Sequence, residues 1–187
     1  RGDHEDYWAN PAFDIESHYE QHSDVPTYLV GGWYDSWSRA LCKQFVELSK
    51  RKIGPIKLLM GPWTHGAYSA THSGDVDFGP EASIDGNLAE NKNAWMLRWY
   101  DRWLKQIGNG VDDEPPVKLF VMGGGSGTKN AEGRLDHGGH WRSEQEWPLK
   151  RTLYTKYYLH SGDSLTTNAP NNPETPSKYS YDPDNPV

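Results

Sequence analysis

Cysteine is nearly absent from this sequence, and long apolar runs are missing altogether. Cys42 is the single cysteine among 187 residues, so no disulfide forms within the chain. We interpret it as a small buried hydrophobe rather than as a reactive thiol, because it lies in a predicted helix. No apolar run approaches the ~20 residues that cross a bilayer as a helix, so we expect no membrane span.

Positive charge and aliphatic side chains are both scarce. Lys and Arg number 19 against 26 Asp and Glu, and the formal net charge of −7 argues against a nucleic-acid partner, which needs a cationic surface. Leu, Ile, Val and Phe make up only 31 of the 187 residues, a proportion found in disordered chains. The 9 Trp and 11 Tyr compensate, because each aromatic side chain can bury roughly 150–250 Å². We therefore expect an aromatic-rich core.

Strand and helix signals alternate in the first half of the chain. Two short apolar runs, at 25–30 and 56–60, predict buried strands that end at glycines. Between them, apolar residues spaced by four, four and three positions over 37–48 predict a helix, with Ser36 or Ser38 as its N-cap. A tryptophan at every fourth position predicts a second helix, over about 89–107, that packs on the sheet.

The pattern changes near residue 110. Residues 108–116 are charged and rich in helix-breaking residues, which is typical of a linker. Beyond it, strand signals occur without any helical stripe, at 117–122, 141–147 and 152–160. We therefore expect an α/β domain over residues 1–110 and an all-β domain over residues 111–187.

One aspartate and one histidine occupy equivalent places after the two predicted strands. Asp35 comes five residues after Val30, and His65 comes five residues after Met60. If the strands are parallel neighbours, both side chains emerge at the same carboxyl edge of the sheet, where open α/β sheets place their sites. A carboxylate can then fix the tautomer of the imidazole, whose other nitrogen takes a proton from a nucleophile. On spacing alone, a solvated aspartate and a loop histidine remain an alternative interpretation.

The residues around this pair resemble a known family. The two turns are Gly31-Gly32-Trp33-Tyr34-Asp35 and Gly61-Pro62-Trp63-Thr64-His65. They are similar to the turns that carry the triad acid and the triad base in the cocaine esterase and X-Pro dipeptidyl-peptidase-like family of CocE/NonD-type hydrolases. The resemblance extends over almost the whole chain, through Trp99–Lys105, Pro116–Met122, Trp141-Arg142, Trp147-Pro148, Tyr157–His160, Tyr181–Pro183 and Pro186-Val187.

The resemblance implies a fold and an activity. The fold would be the C-terminal portion of an α/β-hydrolase sheet, followed by the start of an incomplete all-β jelly-roll sandwich. The activity would be that of a serine esterase, acylase or X-Pro dipeptidyl-peptidase-like hydrolase. His65 would be the general base and Asp35 its orienting acid, acting on a small-molecule ester, amide or peptide. We expect no bound cofactor or metal, and the oligomeric state stays open, a homo-oligomer included.

Two departures from the family pattern limit this interpretation. No Gly-x-Ser-x-Gly elbow occurs in the sequence, so we expect the serine upstream of Arg1 and the isolated fragment to be inactive. Relatives that hydrolyse α-amino acid esters place carboxylates two and three residues after the triad aspartate. Those positions are Trp37 and Ser38 here, so an ammonium site of that design is absent. With Trp33 and Tyr34, Trp37 either lines an apolar acyl pocket or belongs to the core.

Weaker signals favour structural interpretations. His137 and His140 flank two glycines, where no helix can bring both onto one face, so a metal site is not expected. The aspartates of the loop after His65 lack the regular spacing of a calcium loop. The rival functions are a non-catalytic carbohydrate-binding jelly-roll module and an inactive hydrolase relative. The chain opens without methionine or signal peptide, as an internal segment would, so cytoplasmic and secreted or periplasmic locations both stay open.

Overall fold

The computed structural model describes residues 6–184. The Pro186-Val187 segment of the family resemblance lies outside these residues. The chain divides into two compact units, one ending at Lys150 and one beginning at Arg151, and each is described by itself.

Nine strands, two α-helices and two short 3-10 helices make up the described chain. The strands are β1 (Thr27–Gly32), β2 (Ile56–Gly61), β3 (His72–Ser73), β4 (Val76–Asp77), β5 (Val117–Met122), β6 (Leu135–Asp136), β7 (Gly139–Glu144), β8 (Tyr158–His160) and β9 (Ser164–Thr166). The helices are α1 (Ser38–Arg51) and α2 (Lys92–Lys105), and the 3-10 helices are Ile15–Gln21 and Pro80–Ala82.

The main sheet of the first unit has the order β1-β2-β5-β7. β1, β2 and β5 run parallel, and β7 pairs with β5 in the antiparallel sense. β1 and β2 are therefore parallel neighbours, with Gly32 opposite Gly61 at their carboxyl ends. The turns that follow the two strands thus lie at the same edge of the sheet. Every residue of β2 is buried, because the strand lies inside the sheet with side chains packed on both faces.

The two faces of β2 bury different partners. Leu58 and Met60 lie on one face and pack with Phe45 and Leu48 of α1. Leu59 points to the other face because side chains alternate along a strand. There it packs with an aromatic-rich group that includes Tyr28, Trp63, Ile84, Trp95 and Trp141. The expected aromatic core is thus concentrated on one face, and the other face combines aliphatic residues with Tyr19 and Phe45.

The helices differ from expectation mainly at their ends. α1 has Trp37 at its N-cap, without a side-chain hydrogen bond, so the prediction that Ser36 or Ser38 caps the helix is wrong. The indole N–H cannot accept a hydrogen bond from a helix N–H group. α2 ends at Lys105 because Gln106 adopts a left-handed conformation (φ 58°), which leaves Ile107 outside the helix.

Strands β5 and β7 continue the sheet of the first half of the chain. β5 pairs with β2 from Leu58 opposite Val117 to Met60 opposite Leu119. A second small sheet joins β3, β4 and β6 in that order. The described fold is therefore a mixed α/β arrangement, and the division into domains near residue 110 stays a prediction.

In the second unit, His160 of the β8–β9 hairpin is hydrogen-bonded to two residues that follow the hairpin. His160 Nδ1 lies 2.7 Å from Glu174 Oε1, and its Nε2 lies 2.9 Å from the carbonyl oxygen of Asn168. Both partners are acceptors. The Thr166 hydroxyl, 3.1 Å from Nε2, donates its own proton to the Asn168 carbonyl and can accept from Nε2 as well, so the geometry favours the imidazolium form. The hydrogen bonds to the Glu174 carboxylate and to the Asn168 carbonyl raise the pKa of His160 above its usual 6.5.

This arrangement predicts a pH dependence. A raised folded-state pKa adds stability below pH 6.5 that is lost as the pH rises through the folded value. We expect an NMR titration of the His160 imidazole to give a midpoint above 6.5, and Glu174→Gln to shift that midpoint down. Asp163→Asn, in the turn of the same hairpin, is the control and should leave the midpoint unchanged. A midpoint at or below 6.5 in the unmodified protein would contradict the imidazolium interpretation.

Candidate active site

Two adjacent turns at the carboxyl edge of the main sheet carry the candidate residues. The turn after β1 holds Asp35, and the turn after β2 holds His65. Backbone hydrogen bonds join the turns beyond the strands. The Trp33 N–H donates to the Gly61 carbonyl (2.9 Å), and the Tyr34 N–H donates to the Trp63 carbonyl (3.1 Å). Pairing thus continues past the sheet and sets the distance between the two candidate side chains.

Glycine at the end of each strand allows this close approach. A Cβ atom on Gly32 would lie 1.9 Å from the carbonyl oxygen of Trp63. A Cβ atom on Gly61 would lie 2.4 Å from the indole ring of the same tryptophan. Both distances are far inside van der Waals contact, so a side chain at Gly32 would push the two turns apart, and one at Gly61 would displace the Trp63 indole.

The side chains of Trp63 and Ser73 stabilise the turn that carries His65 by donating to backbone carbonyl oxygens. The Trp63 side chain is fully buried, and its Nε1–H donates to the carbonyl oxygen of Ala82 (2.9 Å). The buried Ser73 hydroxyl donates to the carbonyl oxygen of Pro62 (2.6 Å). Two polar groups that would be costly to bury unpaired are therefore satisfied within this turn.

Asp35 and His65 are directly hydrogen-bonded. His65 Nδ1 lies 2.8 Å from Asp35 Oδ2, while the Trp37 N–H donates to Asp35 Oδ1 (3.0 Å). The aspartate side chain is 5% exposed and the histidine side chain 75% exposed. Burial raises the pKa of the Asp35 carboxyl, but the hydrogen bonds from Trp37 and His65 outweigh this effect, so its pKa lies below the usual 3.8. The carboxylate is therefore charged at neutral pH.

This geometry determines which imidazole nitrogen is available for proton transfer. An ionised carboxylate accepts a hydrogen bond, so Nδ1 of His65 carries a proton and Nε2 has a lone pair in the neutral ring. Within residues 6–184, no group forms a hydrogen bond with Nε2. An exposed imidazole held in this tautomer can take a proton from a nucleophile and later return it to a leaving group.

The aromatic residues of the aspartate turn have separate roles. The Trp33 Nε1–H donates to the carbonyl oxygen of Phe120 (3.0 Å), and its ring packs against Trp147, so it belongs to the core. Tyr34 is 43% exposed and Trp37 59% exposed. The alternative left open by the sequence is thus resolved for Trp33 in favour of the core.

The weaker histidine signals lie elsewhere in the first unit. The His137 ring packs against Phe78, 5.6 Å between centroids, and His140 stands on β7 opposite Val121. His72 is exposed on β3. In the part of the chain that the structure describes, no three His, Cys, Asp or Glu side chains come close enough to hold a metal ion. None of the described helices is long and apolar enough to span a membrane.

Sequence reasoning missed two hydroxyl groups that hold the turns. The sequence assigns Ser73 to a loop without a recognised pattern, and it marks Ser38 as a possible helix cap and as a position that lacks an ammonium-binding carboxylate. In the structure, the Ser38 hydroxyl donates backwards to the carbonyl oxygens of Gly32 (3.0 Å) and Asp35. A serine within three residues of a candidate acid is the only sequence signal for such a role, and it is a weak one.

Two family models, one curated relative and one solved structure are similar to this chain. Residues 1–67 match the model of the X-Pro dipeptidyl-peptidase family, and residues 109–186 match that of the X-Pro dipeptidyl-peptidase C-terminal non-catalytic domain. Cocaine esterase from Rhodococcus sp. (strain MB1 Bresler) is 28% identical over 172 residues, which cover 87% of this chain and 26% of the esterase. The chain therefore spans about a quarter of the length of this relative.

A solved structure supports the fold. A CocE/NonD family hydrolase from Staphylococcus aureus superposes with a TM-score of 0.54 at 15% identity, covering 88% of this chain and 23% of that chain. At this identity the likeness concerns the fold alone. The two family models and the esterase relative support the assignment of the chain to the cocaine esterase and X-Pro dipeptidyl-peptidase-like family of CocE/NonD-type hydrolases.

Proposed function

We propose that this chain supplies the acid and the base of a Ser-Asp-His triad that hydrolyses an ester or amide bond. The observation that carries the proposal is the 2.8 Å hydrogen bond between Asp35 and His65, with Nε2 of the imidazole exposed and unbonded among the described residues. His65 takes the proton of the nucleophile as the acyl-enzyme forms. It then gives that proton to the leaving group, and activates water in the second half of the reaction. Asp35 keeps the imidazole in the required tautomer.

The nucleophile is proposed to come from polypeptide outside these 187 residues. The sequence contains no Gly-x-Ser-x-Gly elbow, in which the serine of an α/β-hydrolase stands on a sharp strand-to-helix turn. The esterase relative is about four times longer than the matched region, which leaves ample chain for such an elbow. The groups that stabilise the oxyanion would come from the same part of the protein.

The proposed substrate is a small-molecule ester, amide or peptide. The names of the matched families and of the relative, an X-Pro dipeptidyl-peptidase and a cocaine esterase, cover both bond types. Trp37 and Ser38 stand two and three residues after Asp35, so no carboxylate is available at these positions to hold a substrate ammonium.

The second half of the chain is proposed to begin a jelly-roll domain. Support comes from the model of a C-terminal non-catalytic domain, which matches from residue 109, next to the compositional change near 110. In this proposal residues 1–110 belong to the catalytic domain and residues 111–187 to the sandwich. The strands β5 and β7 then lie where the sandwich segment meets the catalytic sheet, since β5 pairs with β2.

A combination of labelling and turnover tests the proposed function. The full-length protein is expected to hydrolyse 4-nitrophenyl esters or X-Pro 4-nitroanilides and to react with a fluorophosphonate at a serine outside residues 1–187. The 187-residue chain alone should neither turn over these substrates nor be labelled. A full-length protein that is folded, unlabelled and without turnover on both substrate classes would favour an inactive relative and overturn the proposal.

A further inference from the structure

A side-chain hydroxyl group adds to the backbone hydrogen bonds that close the turn carrying Asp35. The Asp35 N–H donates to the carbonyl oxygen of Gly32 (3.1 Å), and the Ser38 N–H donates to the carbonyl oxygen of Asp35 (3.3 Å). The Ser38 hydroxyl donates to both of these carbonyl oxygens, sharing one proton between them. The end of β1, the candidate acid and the start of α1 are thus joined at one atom.

The Ser38 hydroxyl does not cap the helix that it begins. α1 begins at Ser38, and Trp37 at its N-cap offers no acceptor to the free N–H groups of the first turn. A serine hydroxyl near a helix start normally accepts a hydrogen bond from such an N–H group. Here it donates to the preceding turn instead, and the contact therefore serves the turn rather than the helix.

The position of His65 depends on this turn. Its side chain is 75% exposed, so packing does little to fix the orientation of the imidazole. The hydrogen bond from Nδ1 to Asp35 is the polar contact that orients the ring, and Asp35 in turn is held by the Trp37 N–H and by its own backbone. A shift of the turn would therefore move the carboxylate and, through it, Nε2.

We propose that Ser38 is a positioning residue, which holds the Asp35 carboxylate in the place that orients His65. The inference rests on the proposed hydrolase function of this pair. It adds a residue that does not touch the reacting atoms and acts through the aspartate turn.

Three variants of the full-length protein test this role by kinetics. Ser38→Ala is expected to lower kcat about tenfold with KM within about twofold, because a small misplacement of a catalytic group slows the chemical step more than binding. Ser38→Thr keeps the hydroxyl and should recover most of the lost kcat. Ser36→Ala is the matched control, since Ser36 stands exposed in the same turn and forms no hydrogen bond among the described residues. If Ser38→Ala equals Ser36→Ala, or if Ser38→Thr is as slow as Ser38→Ala, the hydroxyl has no positioning role.

A spectroscopic readout separates this inference from the proposed function. The His65 Nδ1 proton, held on the Asp35 carboxylate, is expected to give a low-field NMR resonance in the unmodified protein. In Ser38→Ala this resonance should broaden or disappear through faster exchange with water, and in Ser36→Ala it should persist. If the full-length protein lacks hydrolytic activity, the proposed function fails while this readout still decides the role of Ser38. An unchanged resonance in Ser38→Ala overturns the inference, whatever the activity.

Discussion

His65→Ala in the full-length protein is expected to lower kcat for ester hydrolysis by about 10⁴-fold to 10⁶-fold, the range over which triad members act. The imidazole is the group that moves the proton, and alanine leaves the nucleophile at its ordinary low reactivity. The expected effect is on kcat rather than KM, because the lost interaction exists mainly in the transition state. The measurement is the initial rate with a 4-nitrophenyl ester over a range of substrate concentrations.

His72→Ala is the matched control for this loss. His72 is exposed on the short strand β3, seven residues after His65, and its side chain forms no hydrogen bond among the described residues. Its removal should leave kcat within about threefold, as expected of surface substitutions that remove no contact. Because His65 is mostly exposed, His65→Ala should also unfold at nearly the same urea concentration as the unmodified protein. Near-normal turnover in His65→Ala would reject the assignment of the base.

The parts of the fold that could be predicted are those with a hydrophobic period or run. β2 was predicted at 56–60 from a run that is apolar except for Lys57, and the structure places it at Ile56–Gly61. Lys57 is buried as well, and its Nζ donates to the carbonyl oxygen of Glu114. α2 was predicted from its tryptophan stripe and confirmed at Lys92–Lys105. By contrast, β3 and β4 have two residues each, too few for a period. They pair with each other as a tight hairpin, but β4 also pairs with β6, which is distant in sequence.

The candidate site likewise contains residues that the sequence predicts and residues that it does not. The equivalent positions of Asp35 and His65 after two strands predicted that they would meet, and the structure brings them within hydrogen-bond distance. The groups that hold the turns could not be predicted in the same way. Ser73 reaches the Pro62 carbonyl across eleven positions of irregular loop, and Ser38 points away from the helix it begins. Local rules assign such serines to caps and loops, and only the folded chain shows their acceptors.

Asp35→Asn is expected to lower kcat about 10⁴-fold while leaving the protein folded, because it reverses the tautomer of the imidazole. The asparagine oxygen can still accept a hydrogen bond from the Trp37 N–H. Its amide nitrogen, however, donates, so Nδ1 of His65 must become the acceptor and the proton moves to Nε2. That nitrogen then has no lone pair for the proton of the nucleophile. The hydrogen bonds of residue 35 to the Trp37 N–H and to His65 are both kept, but His65 can no longer act as a base.

The pH dependence of protein stability distinguishes a reversed His65 tautomer in Asp35→Asn from a general loss of folded structure. The pKa of Asp35 lies below 3.8 in the folded protein, so its charge contributes stability above that pH that is lost as the pH falls through the folded value. Any stability difference between Asp35→Asn and the unmodified protein should therefore shrink on acidification, while kcat stays low at every pH. Asp75→Asn, an exposed aspartate in the loop after His65, is the control and should retain full kcat. Asp35→Asn with kcat close to that of this control would show that the carboxylate does not orient the base.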